Sequence, residues 1–130
     1  MVILVQATVL TIGLDGRNEI LKELPIRLIV KQSGVEAARS LKIEEIDSVI
    51  STWDLNDMKD GRFLRCLRAA KPEVSTIALV RAGDRAQEIA ARCLGVSAVL
   101  TDESDDEFFR ETVANVLGLK GHVSIEAICR

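Results

Sequence analysis

Apolar and polar positions follow two rhythms along this chain, and the two take turns. One is a short, nearly continuous apolar run rich in Val and Ile. It occurs within residues 2 to 12, then in "IRLIV", "IDSVIST", "STIALV" and "VSAVLT". Runs of this length and composition predict strands buried on both faces. The other rhythm has the helical period. "NEILKEL" places Ile20, Leu21 and Leu24 on one face, with Pro25 as punctuation. "GRFLRCLRAA" turns Phe63, Leu64 and Leu67 inward and stops before Pro72. "DRAQEIAARCLG" spaces Ala86, Ile89, Ala90, Cys93 and Leu94 helically, with Gly95 as C-terminal cap. Phe109, Val113, Val116 and Leu117 form the stripe of a last helix. Ser33 with Glu36, and Ser104 with Glu107, have the spacing of capping boxes. Asp105 and Asp106 suit the positive end of the last helix dipole.

Strand and helix therefore alternate through five βα units. Continuous apolar strands joined by helices predict a parallel sheet covered on both faces. Right-handed crossovers make it a doubly wound, three-layer α/β sandwich. No repeat, linker or low-complexity tract interrupts the pattern. One domain is expected over residues 1–119, with residues 120–130 as a tail or a short added element.

Composition narrows the function. The 130 residues are 48% hydrophobic, which supports a real core. A net charge of −3 gives no basic field for nucleic acid, and the absence of Tyr removes most stacking platforms. Cys66, Cys93 and Cys129 show no CxxC spacing. They read as reduced thiols of a cytoplasmic protein, not as a disulfide frame or zinc site, and the first two read as core filler. The opening "MVILVQATVLTIGL" has no preceding basic residue and is too short to span a bilayer. It reads as a strand, and no membrane association is expected. His122 has no visible nucleophile partner, so no catalytic residue is assigned. Gly13 and Gly16 in "TIGLDGRNE" lack a full phosphate-binding glycine pattern and read as a tight turn.

Three phrases carry a resemblance. "SGVEAARSL", "IDSVISTWDLNDMKDGRFLRCLR" and "GDRAQEIAARCLGVSAVLT" resemble the second helix start, the third strand with acceptor loop and third helix, and the fourth helix with fifth strand of response-regulator receiver domains. The resemblance spans roughly residues 28 to 118. It implies a flavodoxin-like (βα)5 fold with a parallel five-stranded sheet in the order 2-1-3-4-5, and a site at the carboxyl ends of the strands. Such a site has an acceptor Asp ending the third strand and an acidic pair for Mg²⁺ after the first. A Thr or Ser ends the fourth strand, and a Lys ends the fifth to meet the phosphate.

This chain departs from each of those expectations. Gly13 and Leu14 fall where the acidic pair belongs, with Asp15 adjacent. Thr52 stands at the acceptor position, Val80 replaces the hydroxyl residue and Asp102 replaces the Lys. An anion in place of that cation repels a phosphoryl group by about 1 kcal/mol within a few ångströms, even at water-like dielectric. The resemblance thus implies a stand-alone pseudo-receiver that lacks the phosphorylation site and binds protein partners in signalling or assembly. No metal or cofactor is expected.

Two alternatives stand beside it. Asp54 shares a strand face with Thr52 if the third strand runs that far, and could be a displaced acceptor or bind a cation with Asp15 and Asp102. Otherwise Asp54 and Asp57 are solvated turn residues. A small molecule could instead bind at the strand ends. Trp53 is either an exposed partner anchor or a lid on the core. The resemblance also points to the surface of the fourth helix, fifth strand and fifth helix as an interface, including for a homodimer. Arg85, Glu88, Arg92, Arg110 and Glu111 are its candidate residues.

Overall fold

A computed structural model describes residues 6–118. Five parallel strands form one sheet in the order β2-β1-β3-β4-β5. The elements follow the expected alternation. β1 is Ala7–Ile12, followed by a single 3-10 turn at Asp15–Arg17 and α1 at Asn18–Leu21. β2 (Ile26–Lys31), α2 (Gly34–Ile43), β3 (Ser48–Thr52) and α3 (Arg62–Ala70) come next. β4 (Ser75–Val80), α4 (Arg85–Leu94), β5 (Ala98–Thr101) and α5 (Asp106–Leu117) complete the fold. The expected tail, with His122 and Cys129, lies outside the described residues.

Strand alternation divides the core in two. Leu10, Ile12, Val49, Ala78 and Val80 face α2, α3 and α4, meeting Leu41, Phe63, Leu64 and Ala91. Val9, Ile50, Ile77 and Leu79 face α1 and α5, meeting Leu21, Phe109 and Val113. β1, β3 and β4 are internal strands, so their side chains are buried on both faces and are mostly apolar. The Thr11 hydroxyl, buried in β1, donates to Asn18 Oδ1 at 2.7 Å, so its polarity is satisfied.

Several local expectations shift. The "NEILKEL" rhythm gives only one α-helical turn; Leu24 precedes Pro25, a position that disfavours helix, yet still packs on the second core. Ser33 caps α2 by accepting from the Glu36 amide at 3.2 Å, but the Glu36 carboxylate takes the Ser33 hydroxyl proton instead of the backbone amide. Asp105, not Ser104, caps α5, accepting from the Phe108 amide at 2.7 Å. Ser104 Oγ turns back to accept from the Thr101 amide. Cys66 and Cys93 are exposed and fill no core. α4 buries Ala91, with Ala90 and Leu94 beside it, and leaves Ile89 58% exposed. Its sequence carries two overlapping apolar stripes, and the sheet takes the one through Ala91.

Candidate functional site

The carboxyl ends of β1, β3, β4 and β5 lie along one edge of the sheet, and the candidate residues gather there. Thr52 is the last residue of β3 and pairs in register with Leu79. Its hydroxyl donates to the Asp54 carbonyl at 3.2 Å. Gly13, at φ +72°, closes over it: a Cβ there would lie 2.8 Å from Thr52 Oγ1 and 3.2 Å from Leu55. Leu14 points into the second core and is 4% exposed. Val80 points into the first and is 3% exposed. Both side chains follow the hydrophobic effect inward.

β3 ends at Thr52, so Asp54 does not continue its face. Asp54 and Asp57 are exposed residues of the bends after β3, as the solvated-turn reading has it, and both accept hydrogen bonds there. Asp54 Oδ1 accepts from the Asp60 amide at 2.6 Å and Oδ2 from Gln87 Nε2 at 3.0 Å. Gln87 Oε1 in turn accepts from the Arg81 amide at 2.9 Å. Asp102 Oδ1 accepts from the Ala82 amide at 2.9 Å. Thr52, Asp54, Arg81, Gln87 and Asp102 thus enclose a small cavity of about 150 Å³. The carboxylates meet backbone and amide donors there. Asp57 reaches further, accepting from the Gly34 amide at 2.8 Å and the Val35 amide at 3.0 Å at the start of α2. Those two amides hold its carboxyl below the ordinary aspartate value. Met58 fills the space a Cβ on Gly34 would need.

Trp53 is 2% exposed, so it is a lid on the core and not an exposed anchor. Its amide donates to the Leu79 carbonyl at 2.8 Å, and its carbonyl accepts from the Gly61 amide at 3.0 Å. A Cβ on Gly61 would overlap the six-membered ring of the indole. The Arg65 guanidinium stands 5.7 Å from the ring centroid.

Sequence reasoning passed over Arg17. Its Nη2 donates to the Asp102 carbonyl at 2.9 Å and the Ser104 carbonyl at 2.6 Å, and its guanidinium lies 5.2 Å from the centre of the Phe109 ring. The only signal was a single basic residue in "LDGRNE". Arg17 brings a cation to this edge, but from the first loop, where it ties that loop to the start of α5. Asp15, Asp54 and Asp102 do not converge. Among the described residues no group of three or more His, Cys, Asp or Glu side chains could hold a metal ion.

The candidate interface divides. Arg85, Arg92 and Glu111 are exposed and Glu88 is half-buried. Arg92 pairs with Glu88 at 3.1 Å within α4. Arg110 is drawn away to Glu23 near α1, at 2.8 Å. The apolar members, Ile89 on α4 and Phe108 on α5, are 58% and 55% exposed and were not among the sequence candidates for contact.

No protein-family model matches the sequence, and no curated protein matches it. Solved structures do. The signal receiver domain of an HD domain-containing protein from Pseudomonas fluorescens superposes with a TM-score of 0.77 at 22% identity, covering 86% of this chain and 94% of that one. The signal receiver domain of a putative Luxo repressor protein from Vibrio parahaemolyticus gives 0.78 at 15% identity, covering 97% and 98%. This is the receiver-domain fold. A putative response regulator from Chloroflexus aurantiacus agrees, with a TM-score of 0.77 at 19% identity over 87% of this chain and 98% of that one. The strand-end edge of this sheet carries Gly13, Leu14, Thr52, Val80 and Asp102. No helix among the described residues is long and apolar enough to cross a membrane.

Proposed function

We propose that this domain is a pseudo-receiver: it takes no phosphoryl group and serves as a non-catalytic protein-binding module in signalling or assembly. The observation that carries this is the burial of Leu14 and Val80 together with the engagement of Asp102 by the Ala82 amide. Phosphoryl transfer relies on positioned charge, and these three positions supply an apolar wall and an anion. The binding surface is the face of α4, β5 and α5, where Ile89 and Phe108 stand exposed among Arg85, Glu88, Arg92 and Glu111. Exposed apolar side chains ringed by charge suit an interface, including one between two copies.

Asp54 gives the second reading, a rewired acceptor, because it lines the strand-end cavity beside Arg81. Intact mass measurement after incubation with acetyl phosphate and Mg²⁺ separates the two. The pseudo-receiver gains no phosphoryl mass. Labelling that Asp54→Asn abolishes would establish the rewired acceptor instead. Trp53 lies beside Asp54 in the chain, so its emission in beryllofluoride with Mg²⁺ is a second readout, expected to stay unchanged.

A further inference from the structure

The most apolar hollow on the described surface is not at the strand ends. It lies between α2 and α3 and measures about 300 Å³. Leu41 and Phe63 form its floor. Ala38, Cys66 and Ala70 line its walls, and their small size leaves the space open. Every charged residue that lines it is a cation: Lys42, Arg62 and Lys71. None of the three is in an ion pair among the described residues, although five ion pairs form elsewhere. Lys71 Nζ donates to the Leu41 carbonyl at 2.8 Å, which holds this ammonium at the groove.

A concave apolar site with a few placed polar groups is the usual form of a small-molecule pocket, and its volume stands at the lower end of their range, roughly 300 to 1,000 Å³. It is twice the roughly 150 Å³ that encloses a benzene ring. That is room for a body of about ten carbons. Lys42 and Lys71 at one end of the groove favour an anionic head group inside it, while Glu44, Glu45, Asp47 and Glu73 line the neighbouring hollow that shares these two lysines.

From this we infer that the α2–α3 groove binds a small carboxylate with an apolar body of about ten carbons, head group against Lys42 and Lys71 at one end and chain running along the groove toward Phe63. The site uses neither the strand-end edge nor the α4–β5–α5 face. A ligand here would give the domain an input that does not depend on phosphoryl chemistry.

Cys66 makes the test direct, because an exposed thiol on the wall is covered when the groove fills. The full chain is prepared with Cys66 as its only thiol (Cys93→Ser, Cys129→Ser), and separately with Cys93 as its only thiol (Cys66→Ser, Cys129→Ser). Alkylation by iodoacetamide is timed with sodium decanoate below its micelle concentration, or with decyltrimethylammonium as the same chain with opposite charge. Decanoate is expected to slow Cys66 at least fivefold and leave Cys93 unchanged, whereas the ammonium slows neither. Octanoate binds more weakly, by roughly fourfold for each methylene that leaves the groove. Lys42→Glu, at an exposed site, weakens protection at least tenfold; Ala70→Leu fills the groove and removes it. The inference is overturned if millimolar decanoate leaves the Cys66 rate unchanged. It is equally overturned if Cys93 is slowed as much as Cys66, or if the ammonium protects as well as the carboxylate.

Discussion

Replacing Gly61 by Ala adds one methyl group at the point where the loop after β3 turns beneath Trp53. Two costs arise there. Gly61 has φ +69°, and a residue with a Cβ in that left-handed region costs about 1–2 kcal/mol. The new Cβ would also overlap the six-membered ring of Trp53, and displacing a packed core side chain costs about 1–3 kcal/mol more. The expected loss is therefore about 2–5 kcal/mol, a large part of the roughly 5–15 kcal/mol that holds a domain folded. Gly83 separates the two costs. It has φ +83° and nothing within 4 Å of its Cβ position, so Gly83→Ala carries the backbone cost alone. Urea unfolding followed by far-ultraviolet circular dichroism gives both losses at unchanged slope. Combining Gly61→Ala with Trp53→Leu should return part of the excess, since the smaller side chain yields to the methyl group. Equal losses at Gly61 and Gly83, within about 0.5 kcal/mol, would refute the claim that the indole is wedged against this turn.

Three further outcomes follow from the same geometry. Because two amides hold the Asp57 carboxyl below its ordinary 3.8, its contribution is full above that value and is lost as pH falls through the lower native value. The gap in urea midpoint between the wild type and Asp57→Asn should then narrow on acidification below about pH 4; a widening gap would reverse the assignment. Gln87→Ala removes the hydrogen bonds to Asp54 and to the Arg81 amide, so it should cost about 1 kcal/mol and speed hydrogen exchange at the Arg81 amide in particular. Ile89→Asp combined with Phe108→Asp should leave stability within about 1 kcal/mol, because both side chains are exposed, while abolishing self-association or partner capture seen by light scattering and pull-down.

The strand order was implied only by the resemblance to receiver domains; what the pattern itself made legible was the alternation of buried strands with helices, because elements that face the core must carry apolar residues toward it. The inward stripes of α3 and α5 were legible for the same reason. α4 was not, since Ala86, Ile89 and Cys93 fit the helical period as well as Ala90, Ala91 and Leu94 do, and only the sheet decides between them. At the candidate site, Leu14 and Val80 were legible only as replacements for expected ligands, and their turn into the two cores came from the fold. The roles of Asp54 and Asp57 could not be read, because their partners Gln87, Gly34 and Val35 lie in other loops and helix ends. Trp53 was ambiguous for a related reason: its burial depends on Gly61 taking a left-handed conformation, which sets the turn that covers the ring.

The inward position of Leu14 also bears on which sequences this chain can reach by single substitutions. Leu14→Asp would supply one metal-binding acid but bury an uncompensated carboxylate among Leu21 and Leu79, at a cost of several kcal/mol. Val80→Thr would place a hydroxyl in an apolar core, and Asp102→Lys would leave the Ala82 amide without its acceptor. Each change lowers stability, and none restores phosphoryl chemistry alone. On the pseudo-receiver reading proposed above, a route to a working acceptor therefore crosses a series of destabilised intermediates, so the fold itself acts as a ratchet against it.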